Sequence, residues 1–277
     1  MDLKPLYKKA FAHISGNGHM LIFAGVFIAS VVFFCALFAG LVIYAADGEW
    51  RKVFANPEFR FAAGFTFFTG IAATAAASAA GLACAAFLSR RSFRGKIFFD
   101  TILDAPLVMP PLVSGIALLI FLGPLAGHRL SSIGINAVFT PLGAVIAQAF
   151  IAFPFALKMF RESFDAVDIR YENIARIMGC SPMKTFFHVT LPMARRGLLS
   201  GIAMTWARTV GEFGATAMLA GVTRMKTETL SAAIFLNISI GEMQFALVIS
   251  VMLLCSSMTV LIFFKWVSTR VPEGGEQ

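Results

Sequence analysis

Residues 168–192 read DIRYENIARIMGCSPMKTFFHVTLP, the longest charged interval in a chain whose other long segments are apolar. Asp168 is placed to cap a short helix whose Ile174, Ile177 and Met178 share one face. Ala175 and Gly179, four residues apart, leave a shallow strip that another backbone could approach. Gly179 suits a left-handed helix end, and Ser181 followed by Pro182 makes a fresh N-cap with proline at the first helical position. The stretch therefore reads helix, break, helix. Two roles fit it: an amphipathic helix resting on a lipid surface, or a plug for a soluble partner.

Outside this interval the composition leaves water behind. A chain of 277 residues that is 58% hydrophobic and 14% charged, with a mean hydropathy of +0.80, is too apolar for a soluble globular protein of its size. A bilayer core about 30 Å thick takes about 20 apolar helical residues. The apolar runs predict an all-α integral membrane protein with six transmembrane helices, at about 20–46, 61–89, 98–122, 141–160, 193–221 and 243–266. The strands of an outer-membrane barrel would alternate in polarity, and nothing here does so over such lengths. Residues 1–19 and 268–277 read as tails around a membrane domain at 20–267, with Pro272, Gly274 and Gly275 pointing to disorder in the second tail. The run from Met20 to Ala46 is longer than a signal-peptide core and reads as a retained first helix.

Lys and Arg set the orientation. With the N-terminus inside, 16 fall on the cytoplasmic side and 6 on the other, and Arg208 lies within a span. Both termini and the 161–192 loop are therefore expected to be cytoplasmic. The net charge of +8 follows this bias and anionic headgroups account for it, so nucleic-acid binding is not expected. Cys35, Cys84, Cys180 and Cys255 show neither pairing nor metal-ligand spacing. The cluster Arg90, Arg91, Arg94 and Lys96 reads as a topology anchor.

Three features could carry chemistry. Asp100 and Asp104 sit four apart at a membrane edge beside Arg94 and Lys96, where ion pairing is ordinary and no third ligand completes a cation site. Pro106, Pro110 and Pro111 interrupt the third helix and free carbonyls that protein or water must satisfy. Pro154 is expected to bend the fourth helix. In the fifth, Arg208 and Glu212 are intramembrane and four apart, either a structural ion pair or part of a pathway. Gly211 and Gly214 beside them permit close approach of a neighbour. A membrane enzyme would need converging titratable groups, but His13, His19, His128 and His188 are scattered and no nucleophile is framed. No phosphate-binding loop of the Walker type occurs, so ATP hydrolysis by that route is not expected here.

The spacing from Ala175 through Gly179 to Val189, Leu191 and Pro192 resembles the EAA loop of binding-protein-dependent ABC importer permeases. In that pattern Asn173 stands where Glu is usual and Ile174 where Ala is usual, with Glu172 one residue earlier. The runs ARTVGEFGATAMLAG and TRMKTETLSAAIFLNISIGE closely resemble molybdate and tungstate importer permeases, and the sulfate ones less closely. The resemblance implies the type I importer permease fold in the inner membrane of a prokaryote. It implies a homodimer with two ATP-binding subunits, which carry ATP and Mg, and an extracytoplasmic oxyanion-binding protein. This chain would then bind no cofactor or metal and have no catalytic residues. Glu172, Asn173, Ala175, Gly179, Val189, Leu191 and Pro192 would form the ATPase-coupling loop. Arg208, Thr209, Gly211, Glu212, Gly214 and Thr216, with Pro110 and Pro111, would line the translocation pathway. Molybdate or tungstate is the expected cargo, and sulfate or thiosulfate the alternative.

Overall fold

The structure is a computed structural model that describes the backbone of residues 4–270 and the side chains of residues 20–270. The expected disorder at Pro272, Gly274 and Gly275 lies outside the described residues. All regular structure among the described residues is helical. Helix α1 (Lys4–Ala46) belongs to a unit of its own that ends at Gly48. It begins well before the expected start at residue 20, because nothing after Pro5 in its first turn breaks the backbone ladder. Its apolar part, Met20–Ala46, exposes Phe23, Phe27, Ile28 and Phe33, a surface suited to lipid.

The second unit contains the remaining helices. The short α2 (Trp50–Ala55) precedes α3 (Pro57–Arg90), which Asn56 caps by accepting the Glu58 amide at 2.7 Å. After the broken pair α4 (Lys96–Val108) and α5 (Pro111–Ile120) come a π-helical turn at Phe121–Leu125 and the short α6 (Gly127–Ser132). Thr140 then caps α7 (Pro141–Asp165), which starts at the expected residue 141, carries Pro154 buried in its interior and runs five residues beyond the expected end at 160. The charged loop holds α8 (Ile169–Ile177) and α9 (Pro182–Thr185). Beyond it come α10 (Leu191–Val210), α11 (Gly214–Ala220), α12 (Leu230–Ser239) and α13 (Met243–Arg270).

The core is α7 packed against both α3 and α10, which also touch each other, and small residues make it possible. A Cβ placed on Gly81 would lie 2.9 Å from Ala156 Cβ of α7, and one on Gly70 would lie 3.2 Å from the Val210 side chain and 3.3 Å from Trp206 of α10. Of Gly70, Thr74, Ala77, Ser78 and Gly81, small residues spaced by three or four along α3, all are buried except Ser78, which is half-buried. Ala85, Leu88, Ala156, Phe160, Phe164, Ala194 and Leu198 continue one cluster toward the loop end. Gly81→Leu should therefore overpack this contact and cost at least about 1–3 kcal/mol. Gly64→Leu on the same helix, where nothing lies within 4 Å, should change stability little. Thermal unfolding of the two variants in detergent checks the contrast, and equal melting would contradict the packing.

Two expected spans are not single helices. The third, placed at 98–122, bends by 113° between α4 and the segment Pro111–Leu125. Met109 is driven to an extended conformation (ψ 132°) by the proline after it, and the paired Pro110 and Pro111 offer no N–H to continue the ladder. Pro106 is instead absorbed inside α4. The fifth, placed at 193–221, stops at Val210 and restarts at Gly214, with Gly211 at ψ 0° leaving the helix. Four helices among the described residues are long and apolar enough to cross a membrane, and five if the bent pair is one span. The 20-residue α10 holds Arg195, Arg196 and Arg208 and is the charged one expected.

Candidate functional site

At the loop end, local capping shapes 168–192 as its sequence dictates. Asp168 accepts the Arg170 amide at 2.9 Å, and this bond together with the Arg170 guanidinium holds its carboxyl below the ordinary value. Gly179 ends the turn after α8 with φ 89°, and Ser181 caps α9 through the Lys184 amide at 3.3 Å. From α9 onward the chain departs from the expected loop up to residue 192. α9 runs through a π-helical turn at Phe186–Thr190 directly into α10. Pro192 cannot donate to a carbonyl one turn back, and the widened turn accommodates its ring.

Arg90 is the centre of this end. The last residue of α3, it sends Nε to Glu172 Oε1 at 2.7 Å and Nη2 to the carbonyls of Phe164 at 2.9 Å and Val167 at 3.2 Å. Phe164 lies in the last turn of α7 and Val167 just past it, where a cation is favoured by the helix dipole. Glu172 is buried and also accepts the Thr190 hydroxyl at 2.9 Å. One arginine thus ties the ends of α3 and α7 to α8 and to the turn preceding α10. Sequence reading took Arg90 for a topology anchor and missed this role. The one available signal was a lone acid, Glu172, on the small-residue side of α8.

The ion pair turns that side inward. Ala175 is buried against this chain itself, whereas Gly179, whose left-handed φ favours glycine, has open space where a Cβ would stand. The opposite side is open: Ile177 is 86% and Met178 79% exposed, with Ile174 beside them. Asn173 is exposed, Val189 and Leu191 are half-buried, and Pro192 is exposed.

Asp100 and Asp104 pair with α7 instead of the neighbouring turn: Asp100 meets Arg161 at 3.1 Å and Asp104 meets Lys158 at 3.3 Å. Lys96 spends its ammonium on the carbonyls of Leu88 and Arg91 at 2.6 and 3.0 Å.

Deeper in, the two breaks meet. A Cβ on Gly214 would lie 2.9 Å from Pro111 Cβ, and one on Gly115 would lie 2.7 Å from Met218 Cβ and 2.8 Å from Ala215 Cα. The start of α11 is thus wedged against the start of α5, while Ala147 and Ile151 of α7 pack on its Ala215 and Leu219. At the break Arg208 Nη1 pairs with Glu212 Oε2 at 2.7 Å. Glu212 is buried and also accepts the Ala215 amide at 2.9 Å, so one carboxylate neutralises an arginine and caps α11. Arg208 keeps 27% of its side chain exposed and lies 5.8 Å from the Phe155 ring centroid.

The hydroxyls divide. Thr209 donates to the Thr205 carbonyl at 2.8 Å and receives Thr74 at 3.4 Å, so its proton is committed. Thr216 is buried without a hydrogen-bond partner among the described residues, as are Ser114 of α5 and Gln148 of α7, neither of which sequence reading singled out. Gly211 and Pro110 are exposed at their breaks. At the far end Arg224 makes a two-pronged contact with Glu58 at 2.9 and 3.1 Å. Glu228 beside it is buried, which pushes its carboxyl up although the Met225 amide and Arg224 oppose the shift.

Residues 77–272 match the family model described as binding-protein-dependent transport system inner membrane component. A probable molybdenum ABC transporter permease protein of Haloferax volcanii is 35% identical over 204 residues, which is 74% of each chain. The sulfate transport system permease protein of Escherichia coli is 28% identical over 250 residues, covering 87% of this chain and 90% of that one. Among solved structures, a bacterial ABC transporter involved in alginate import superposes with a TM-score of 0.67 at 13% identity, over 90% of this chain and 96% of that one. With the match spanning the core, the charged loop and both broken spans, the chain belongs to the binding-protein-dependent transport system inner membrane component family, the permeases of ABC importers.

Proposed function

We propose that this chain is one half of a homodimeric importer for molybdate or tungstate, driven by two separate subunits that hold ATP and Mg and fed by an extracytoplasmic oxyanion-binding protein. Both termini and the 161–192 loop face the cytoplasm in this reading, with the permease domain at 20–267. The observation that carries the coupling is the exposed Ile174, Ile177 and Met178 face, braced from behind by Arg90 and Glu172. An apolar helix face on a rigid support is the form in which a partner's groove takes a helix. Closure of the ATP-binding subunits would push on α8 and, through Arg90, on α3 and α7 together, shifting the bundle between two accesses.

A doubly charged anion must be bound weakly to pass, by neutral donors and partly compensated charge rather than by a ring of cations. Arg208, neutralised by Glu212 at the meeting of the two breaks, fits that need. The cargo rests on likeness to the molybdenum permease, and the sulfate permease, aligned over more of the chain, supports sulfate as the second reading. Proteoliposomes containing this permease with the ATPase and binding protein encoded beside it should take up molybdate and tungstate. Sulfate uptake without either of them would transfer the assignment to sulfate.

A further inference from the structure

Beneath the turn 91–95 that joins α3 to α4 lies a cleft of about 470 Å³, lined by Ala83, Cys84, Phe87, Phe93, Phe99 and Leu103. Its walls are carbon. Phe87, Phe93 and Phe99 make a chain of tilted ring contacts with centroids 5.7 and 6.0 Å apart, and all three are exposed at the surface. The turn over the cleft supplies charge, and only part of it is used. Arg90 is held by Glu172 and Lys96 by two carbonyls, whereas Arg91 and Arg94 are exposed and have no acidic partner among the described residues.

An apolar cleft whose Phe93 wall comes from a turn that also carries the exposed Arg91 and Arg94 has the polarity of a lipid with an anionic headgroup. We propose that it is a binding site for one anionic phospholipid, its phosphate held by Arg91 and Arg94 and an acyl chain lying among the phenyl rings. Guanidinium groups match phosphate oxygens in planar, paired hydrogen bonds, and basic residues at a membrane surface are the usual recognition element for anionic lipid. The size lies within the range of ordinary ligand pockets. A free inorganic anion would gain nothing from the carbon walls.

Native mass spectrometry of the full chain in neutral detergent, titrated with phosphatidylglycerol or with phosphatidylcholine of the same acyl chains, tests the site. Phosphatidylglycerol should be retained preferentially, and Arg91→Gln with Arg94→Gln should weaken its binding roughly thirtyfold, from about 1 kcal/mol for each basic residue. Ala83→Trp, which fills the cleft and leaves the charges alone, should displace the lipid as well. The wild-type preference needs no variant to fold. Equal retention of the two lipids, unchanged phosphatidylglycerol binding in the double glutamine variant, glycerol phosphate binding as well as the lipid, or lipid release on dimer formation would each overturn the proposal.

Discussion

Arg90→Met should give a permease that still enters the membrane yet transports nothing. The substitution leaves the buried Glu172 with the Thr190 hydroxyl and, at 4.0 Å, the exposed Arg176 guanidinium, and it removes one donor from the carbonyls of Phe164 and Val167. Breaking a buried pair by removing one partner costs about 3–5 kcal/mol, and the lower end applies because Arg90 keeps 21% of its side chain exposed. The loss should be local first: protease should cut the 168–192 segment before the bundle unfolds, since that segment loses its charged tie to α3. Adding Glu172→Leu should recover much of the stability, less about 1 kcal/mol for the orphaned Thr190 hydroxyl. Denaturant melts and protease protection of the three proteins check this. A single variant as protected as the wild type would mean that the tie does not brace the loop.

Arg208→Met should be the most damaging single change inside the membrane. It leaves Glu212, with 2% of its side chain exposed, buried with one backbone amide as its partner. The expected cost is again the lower end of about 3–5 kcal/mol, since Arg208 is partly exposed. Glu212→Leu should be milder, because Arg208 has an open side through which water can reach it, although α11 loses its cap at about 1 kcal/mol. The double replacement should be more stable than Arg208→Met alone and still fail in uptake if the pair serves passage of the anion. Unfolding midpoints and uptake rates separate the two roles. A double variant no more stable than the worse single would remove mutual neutralisation as the reason for the pair.

Local rules were legible wherever they depend on neighbours in sequence. Asp168, Gly179, Ser181 and Pro141 all perform the capping and breaking that their types dictate, and the i, i+4 spacing of Arg208 and Glu212 reads directly as a pair. Contacts across the bundle were not legible. Arg90 and Glu172 are 82 positions apart, and nothing in either segment announces the other. Ala175 and Gly179 looked like one strip on a helical wheel, but the helix ends before Gly179 and the Arg90 pair turns Ala175 inward. The bend at Pro110 was expected as an interruption, but its meeting with Gly214 needed the packing of α5 on α11. The same holds for Ser114 and Gln148, ordinary polar residues by sequence that become buried, unpaired groups only in the fold.

The braced apolar face of α8 is tested most directly by cross-linking to the ATPase. In a background lacking the four native cysteines, a cysteine at Ile177 carrying a short photoactivated linker should capture the ATP-binding subunit in membranes. Capture should fall away with Met178→Asp and should change in extent when ATP is trapped on the partner. A cysteine at Ile177 that captures only lipid, with full uptake activity retained in Met178→Asp, would contradict the docking of this loop and return it to a helix resting on the membrane.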